Sequence, residues 1–146
     1  MPTLEEQIDV AVPAHTAWLQ LHRVDEFPRF VGGVLHSHAD DTHHARLDIK
    51  AGGNEQSLDI EMDDRDQDRR MVLQSVDGPH LKGEFTLLPL DPEHTRLQIR
   101  LEYDPELVRQ HFHGSKGFAL VNAIQRTVEE DLKQFKGLVE GGTTQG

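Results

Sequence analysis

The strongest constraint on this chain is an apolar stripe near its C-terminal end. Val121, Ile124, Val128, Leu132, Phe135 and Val139 are separated by steps of 3, 4, 4, 3 and 4 residues. That is the period of one helix face, and it predicts a helix over Lys116–Val139. At 1.5 Å per residue such a helix is about 36 Å long. Ser115 is placed to cap its start, and Gly141-Gly142 to end it. Glu129 and Lys133 form a favourable i,i+4 pair on the wet side. A stripe of this length must be covered, and the preceding chain offers mainly strands to cover it.

Those strands show as period-two alternation. Leu4, Glu6, Ile8, Val10 and Val12 point one way, and Glu5, Gln7, Asp9 and Ala11 the other. Pro13 stops this strand and opens a short helix with Ala14, Ala17, Trp18 and Leu21 at helical spacing. A second short turn, Asp25–Phe30, carries Phe27 and Phe30 around Pro28. Alternation returns over Val34–Ala39, His44–Ala51, Gln56–Met62, Met71–Val76, Leu81–Leu87 and Arg96–Tyr103. Gly52-Gly53, Asp77-Gly78-Pro79 and Asp91-Pro92-Glu93-His94 read as turns, and the charged tract Asp63–Arg70 as a loop. Short polar turns imply antiparallel pairing, and one apolar face per strand implies a sheet covered on one side. The expected class is α+β: a strand, two short helices, six more strands and a long helix. We expect one domain over residues 1–146, with about 141–146 a flexible tail.

Charge and composition exclude several functions. Net charge is −11, and nucleic-acid affinity rests mainly on Lys and Arg contacts with phosphate, so nucleic acid is not an expected partner. No run approaches the roughly 18 apolar residues of a membrane span. The opening MPTLEEQIDV has neither the basic nor the apolar region of a signal peptide. Absence of cysteine removes disulfides and thiolate chemistry, and fits a cytoplasmic protein.

Three stretches resemble the START-like helix-grip (SRPBCC) superfamily, and within it the polyketide cyclase/dehydrase and coenzyme Q-binding group. They are Ile8–Val34, running through Pro13, Trp18 and the Asp25–Phe30 turn; Val76–Asp104; and the C-terminal helix with Leu132, Phe135 and Lys136. The resemblance implies a curved seven-stranded antiparallel sheet gripping that helix, with a cavity between them. Members bind lipids, quinones or polyketides there; some are aromatase/cyclases, and some act on other proteins or ribosomes.

The inward parity of the strands is almost wholly apolar, with Gln56, Ser75 and the Tyr103 hydroxyl as exceptions. Parity alone does not separate a solid core from a cavity; the resemblance implies the cavity. The residues expected to line it are Phe30, Leu47, Ile49, Leu58, Ile60, Leu73, Ser75, Phe85, Leu101, Tyr103, His113, Phe118 and Val121.

Chemistry-bearing candidates are few. There are ten histidines, and His36, His38, His43 and His44 fall on two neighbouring strands. Their spacing matches no strong zinc pattern, so exposed strand histidines are the preferred reading and no metal or cofactor is expected. His111 and His113 flank Phe112 before the long helix, where the resemblance implies a cavity mouth; solvent-exposed loop histidines are the plainer reading. Trp18 reads as the anchor of the first short helix. There is no serine nucleophile elbow, phosphate-cradling loop or metalloprotease motif. With no catalytic set in view, the expected function is binding of an apolar small molecule (lipid, quinone or polyketide-like) by a monomer or weak homodimer. A cyclase/dehydrase-type enzyme and a protein- or ribosome-interaction module are the alternatives.

Overall fold

The computed structural model describes residues 3–30, 34–41, 43–51, 54–65, 69–76, 80–104 and 117–144. Strand β1 (Thr3–Val10) is followed by helix α1 (Ala14–Leu21) and a 3₁₀ helix (Val24–Arg29). Six strands come next: β2 (Val34–Ala39), β3 (His44–Ala51), β4 (Asn54–Arg65), β5 (Arg70–Ser75), β6 (Leu81–Asp91) and β7 (His94–Tyr103). Helix α2 (Gly117–Thr144) ends the chain. The seven strands form one antiparallel sheet in the order β1-β7-β6-β5-β4-β3-β2. The sheet is curved, a half-barrel around α2: the helix-grip architecture.

Two aspartates build the tight turns. Asp41 accepts the backbone N–H groups of His43 and His44 at 2.7 and 2.8 Å. Asp91 accepts that of Glu93 at 2.8 Å, beside His94 Nδ1 at 2.8 Å. These side chains imitate a backbone turn, which sets each hairpin's register. The hydrogen bonds hold both carboxyls below the ordinary carboxylate range, with the His43 amide the largest cause at Asp41 and the His94 ring at Asp91.

Two expectations are corrected. The tract Asp63–Arg70 is not a loop throughout, because Asp63, Asp64 and Arg65 continue β4 opposite Val72, Met71 and Arg70. Ladder bonds use only backbone groups, so exposed charged side chains do not interrupt them. The helix does not stop at Gly141-Gly142 but runs to Thr144, so residues 141–144 are helical rather than tail. Glycine ends a helix by adopting a left-handed φ, and Gly141 does not adopt one. Ser115 lies outside the described residues.

Among the described side chains, Val128, Leu132, Phe135 and Val139 carry the helix stripe onto the sheet, each 7% exposed or less. A polar clamp pins the far end of α2 to β1. Lys136 Nζ donates to Asp9 O at 3.0 Å and to Glu140 Oε2 at 2.6 Å, and the Ala11 N–H donates to Glu140 Oε2 at 2.6 Å. The Lys136 hydrogen bond is the largest cause holding the Glu140 carboxyl below its ordinary value. A lowered folded-state pKa stabilises above the unfolded value, and that stability is lost as pH falls through the folded value. Glu140→Gln is therefore expected to be less stable than wild type at pH 7. The gap should begin to narrow below about pH 4.3, the ordinary glutamate value, and close as pH falls through the lower folded value. Urea unfolding at pH 7 and pH 3 measures it.

Thr95, with 0% exposure, holds the end of β1 in place. Its Oγ1–H donates to Val12 O at 2.8 Å. Valine has the same shape but no donor, so Thr95→Val leaves a buried carbonyl unpaired. We expect a loss of about 1–3 kcal/mol in urea unfolding.

Candidate functional site

The sheet and α2 do not close completely on each other. Between them lies a cavity of ≈ 160 Å³. Every strand except β1 lines it: Val34 from β2, Leu47 from β3, Ile60 from β4, Leu73 from β5, Leu81, Gly83 and Phe85 from β6, and Leu97, Ile99 and Leu101 from β7. The α1–3₁₀ segment adds Leu21, Phe27 and Phe30, and α2 adds Val128, Asp131, Leu132 and Phe135.

Aromatic rings join the segment to the helix. Phe27 meets Phe30 edge-on at 5.5 Å, and Phe30 meets Phe135 edge-on at 5.3 Å. Such T-shaped pairs satisfy the quadrupoles of both rings. The segment is also tied to the sheet by polar contacts. The His22 ring nitrogens face Trp18 O at 2.8 Å and Asp64 Oδ1 at 2.9 Å, and Ser37 Oγ–H donates to Val24 O.

The β6–β7 side of the wall is the looser one. Leu81, Phe85, Ile99 and Leu101 face inward yet are only half-buried, whereas Leu47, Ile60 and Leu73 across the sheet are buried. Gly83 sits in this loose region between Leu73 of β5 and Leu101 of β7. A Cβ built on Gly83 would meet nothing within 4 Å. The missing side chain is one physical source of the void.

Of the residues expected to line the site, Phe30, Leu47, Ile60, Leu73, Phe85 and Leu101 lie in this wall. Four others do not. Leu58 is buried at 2% within the packed core, and Ile49 packs against that core. Ser75 Oγ accepts the Leu81 N–H at 3.1 Å and so closes the β5–β6 connection. Tyr103 is 4% exposed at the end of β7, opposite Leu81. Burial pushes its phenol pKa up, and its hydroxyl has no hydrogen bond among the described residues. Parity reports which face a side chain leaves from, not how far the opposite layer stands from it, so these four share the inward face without bordering the cavity. His113, and the side chains of Phe118 and Val121, lie outside the described residues, as do His111 and Phe112.

Sequence reasoning missed Asp131. It is three residues after Val128 and four before Phe135, so it interrupts the apolar stripe on the stripe's own face. A carboxylate at that spacing was the available signal. Trp18 does anchor α1, since it is buried in the hydrophobic core, and its ring lies 4.2 Å from that of His22. The strand histidines face carboxylates rather than one another: His36 and Asp48 at 3.8 Å, His38 and Asp25 at 3.6 Å, His44 and Asp41 at 3.2 Å. Among the described residues no group of three or more His, Asp or Glu is arranged to hold a metal ion, and no helix is long and apolar enough to cross a membrane.

A half-barrel sheet gripping a C-terminal helix around an apolar cavity defines a START-like protein. The chain belongs to the family described as polyketide cyclase/dehydrase and lipid transport, whose model matches residues 10–136. It is 29% identical over 143 residues to an uncharacterised 17.2 kDa protein of the melC2-rnhH intergenic region of Streptomyces lincolnensis, covering 96% of this chain and 91% of that protein. A START superfamily protein from Mycobacterium smegmatis superposes with a TM-score of 0.76 at 17% identity, over 95% of this chain and 97% of that one. The Zhui aromatase/cyclase from Streptomyces sp. R1128 superposes with a TM-score of 0.74 at 18% identity, over 95% and 93% of the two chains.

Proposed function

We propose that this protein binds a small apolar molecule in the cavity between the sheet and α2. The observation that carries the proposal is the wall: sixteen positions without an ionisable group, and one with, Asp131, around ≈ 160 Å³ of space. Concave, mainly apolar sites with few polar groups are the common form of small-ligand pocket. Family membership supports the same reading, since the family's description names polyketides and lipids, both largely apolar molecules.

A cyclase/dehydrase reaction is the second reading. It needs a proton donor and acceptor converging on the ligand. Asp131 is the observation in its favour, but no second ionisable side chain joins it in the wall among the described residues. Binding without turnover is therefore favoured. A net charge of −11 opposes nucleic-acid and ribosome partners, and a cytoplasmic monomer or weak homodimer completes the proposal.

The test is native mass spectrometry of protein purified gently from its own host, followed by solvent extraction. A stoichiometric apolar molecule supports the reading and supplies a chemical class. A clean apo mass, unchanged on adding apolar ligands, opposes it and moves weight to the interaction-module alternative.

A further inference from the structure

We propose, resting on the ligand-binding reading above, that the cavity has a second way in. It lies at the seam between the α1–3₁₀ segment and strands β4 and β5, plugged by Met62 and Met71 and latched by His22 and Asp64. Loss of the His22 proton opens it.

The segment does not meet the sheet evenly. Its 3₁₀ helix packs on β2, and α1 packs on β6 and β7. Facing β4 and β5 there is instead a cleft of ≈ 400 Å³, bordered by His22 and Val24 from the segment, Ala39 from β2, Met62 and Asp64 from β4, and Met71 from β5. Cleft and cavity share no bordering residue, yet they abut. Leu21 of the cavity precedes His22 of the cleft in the chain. Met62 pairs with Leu73 and Met71 with Phe85 in the sheet, and Leu73 and Phe85 line the cavity. The two methionines, 6% and 1% exposed, therefore form the partition. Methionine suits a movable partition, because its unbranched chain with three rotatable bonds repacks easily.

The His22 ring has an acceptor at each nitrogen. Nδ1 lies 2.8 Å from Trp18 O, and Nε2 lies 2.9 Å from Asp64 Oδ1. A carbonyl and a carboxylate only accept, and a neutral imidazole carries a single N–H. Only the imidazolium, with two, fills both contacts. The Trp18 ring, 4.2 Å away, is a third contact that suits a cation. When the proton leaves, one of the two hydrogen bonds goes with it. With Nδ1–H kept on the carbonyl of its own helix, bare Nε2 faces the carboxylate, and the bond across the seam is the one lost.

The other charged groups around the seam are engaged elsewhere. Asp41, from the β2–β3 turn, borders the cleft and accepts the His43 and His44 amides. Asp63 and Arg65 leave the opposite face of β4 and pair with each other at 2.8 Å. On the segment, Arg23 and Arg29 turn to Glu26, and Asp25 accepts the Ala39 N–H. From β5 and β2 the cleft receives only Met71 and Ala39. Histidine changes charge between about pH 5 and 8, so the seam is shut in mild acid and loosens as pH rises.

The experiment exposes the full chain to dilute hydrogen peroxide at about pH 5 and about pH 8 and follows Met62 and Met71 by peptide mass spectrometry. Free methionine run in parallel corrects for the reagent. We expect both residues to oxidise about fivefold faster at the higher pH, the upper end for a partly exposed charged pair. His22→Phe keeps a ring beside Trp18 and has no N–H, so its rates should be high at both pH values. Asp64→Asn should be slow at both, because an amide donates to bare Nε2 and accepts from the protonated one. Toluene, added to the same proteins, reports passage through exchange measured by NMR. It should enter and leave about fivefold faster at the higher pH, with its affinity unchanged, since a gate alters both rates alike.

Oxidation that is equal at both pH values in the wild type, or that stays pH-dependent in Asp64→Asn, overturns the latch. Gated oxidation with toluene rates unmoved by pH overturns the passage, while toluene binding itself leaves the ligand-binding reading intact. No toluene binding, together with a clean apo mass from the native host, overturns both.

Discussion

Phe135→Ala is expected to cost about 3–5 kcal/mol of folding stability, the range for truncating a buried aromatic ring. Domains of this kind are stable by only about 5–15 kcal/mol in total, so the variant should sit near the edge of folding. Three roles meet at this ring. It is 1% exposed, it lies on the helix stripe facing the sheet, and it holds the Phe30 ring edge-on at 5.3 Å. Its loss therefore loosens α2 from the sheet and the α1–3₁₀ segment from α2 together. Guanidinium unfolding measures the loss. A change under about 1 kcal/mol would show that the helix is held by its polar clamp at Lys136 and Glu140 instead.

The second large effect separates core from cavity within one pair of residues. Leu87 and Leu97 face each other across β6 and β7 and are each 1% exposed. Leu97 lines the cavity and Leu87 does not. Leu87→Ala opens a new hole in packed surroundings, and about 2–5 kcal/mol is expected. Leu97→Ala enlarges space that already exists, where some of the leucine's contacts were never made. It should fall at the lower end of that range and let the cavity accept a larger apolar molecule than the wild type does. Equal losses, with no change in ligand size, would mean that the space beside Leu97 closes in solution.

Much of this arrangement is legible in the sequence. Alternation over His44–Ala51 and Arg96–Tyr103 shows which residues turn inward, because a strand has only two faces. The helical spacing from Val128 to Val139 likewise leaves one face for the sheet. Errors arose where local chemistry and tertiary context disagree. Asp63–Arg65 look like a loop by charge, yet β5 offers them a backbone ladder. Gly141-Gly142 look like a helix end. Two glycines in a helix cost about 1 kcal/mol each against alanine, but the buried Val139 and the Glu140 clamp sit immediately before them and hold that turn in place.

The candidate site was legible only in part, for a different reason. Phe30, Leu47, Ile60 and Phe85 could be placed by parity and resemblance, whereas Leu58 and Ser75 have the same credentials and lie elsewhere. Asp131 and Gly83 carry the most specific information, and each was visible as a letter: an acid within an apolar stripe, a glycine within an inward row. Neither signals a site alone, since an acid near a stripe is usually solvated and a strand glycine usually marks a bulge or close approach.

By itself, then, the sequence determined which faces are apolar and in what order the elements come. These follow from side-chain periodicity and turn chemistry, which act over a few residues. Only the tertiary structure decided that the two apolar layers meet without filling the space between them, and which side chains border that space. A void depends on the distance between elements far apart in the chain, set by the curvature of seven strands and the seating of one helix upon them.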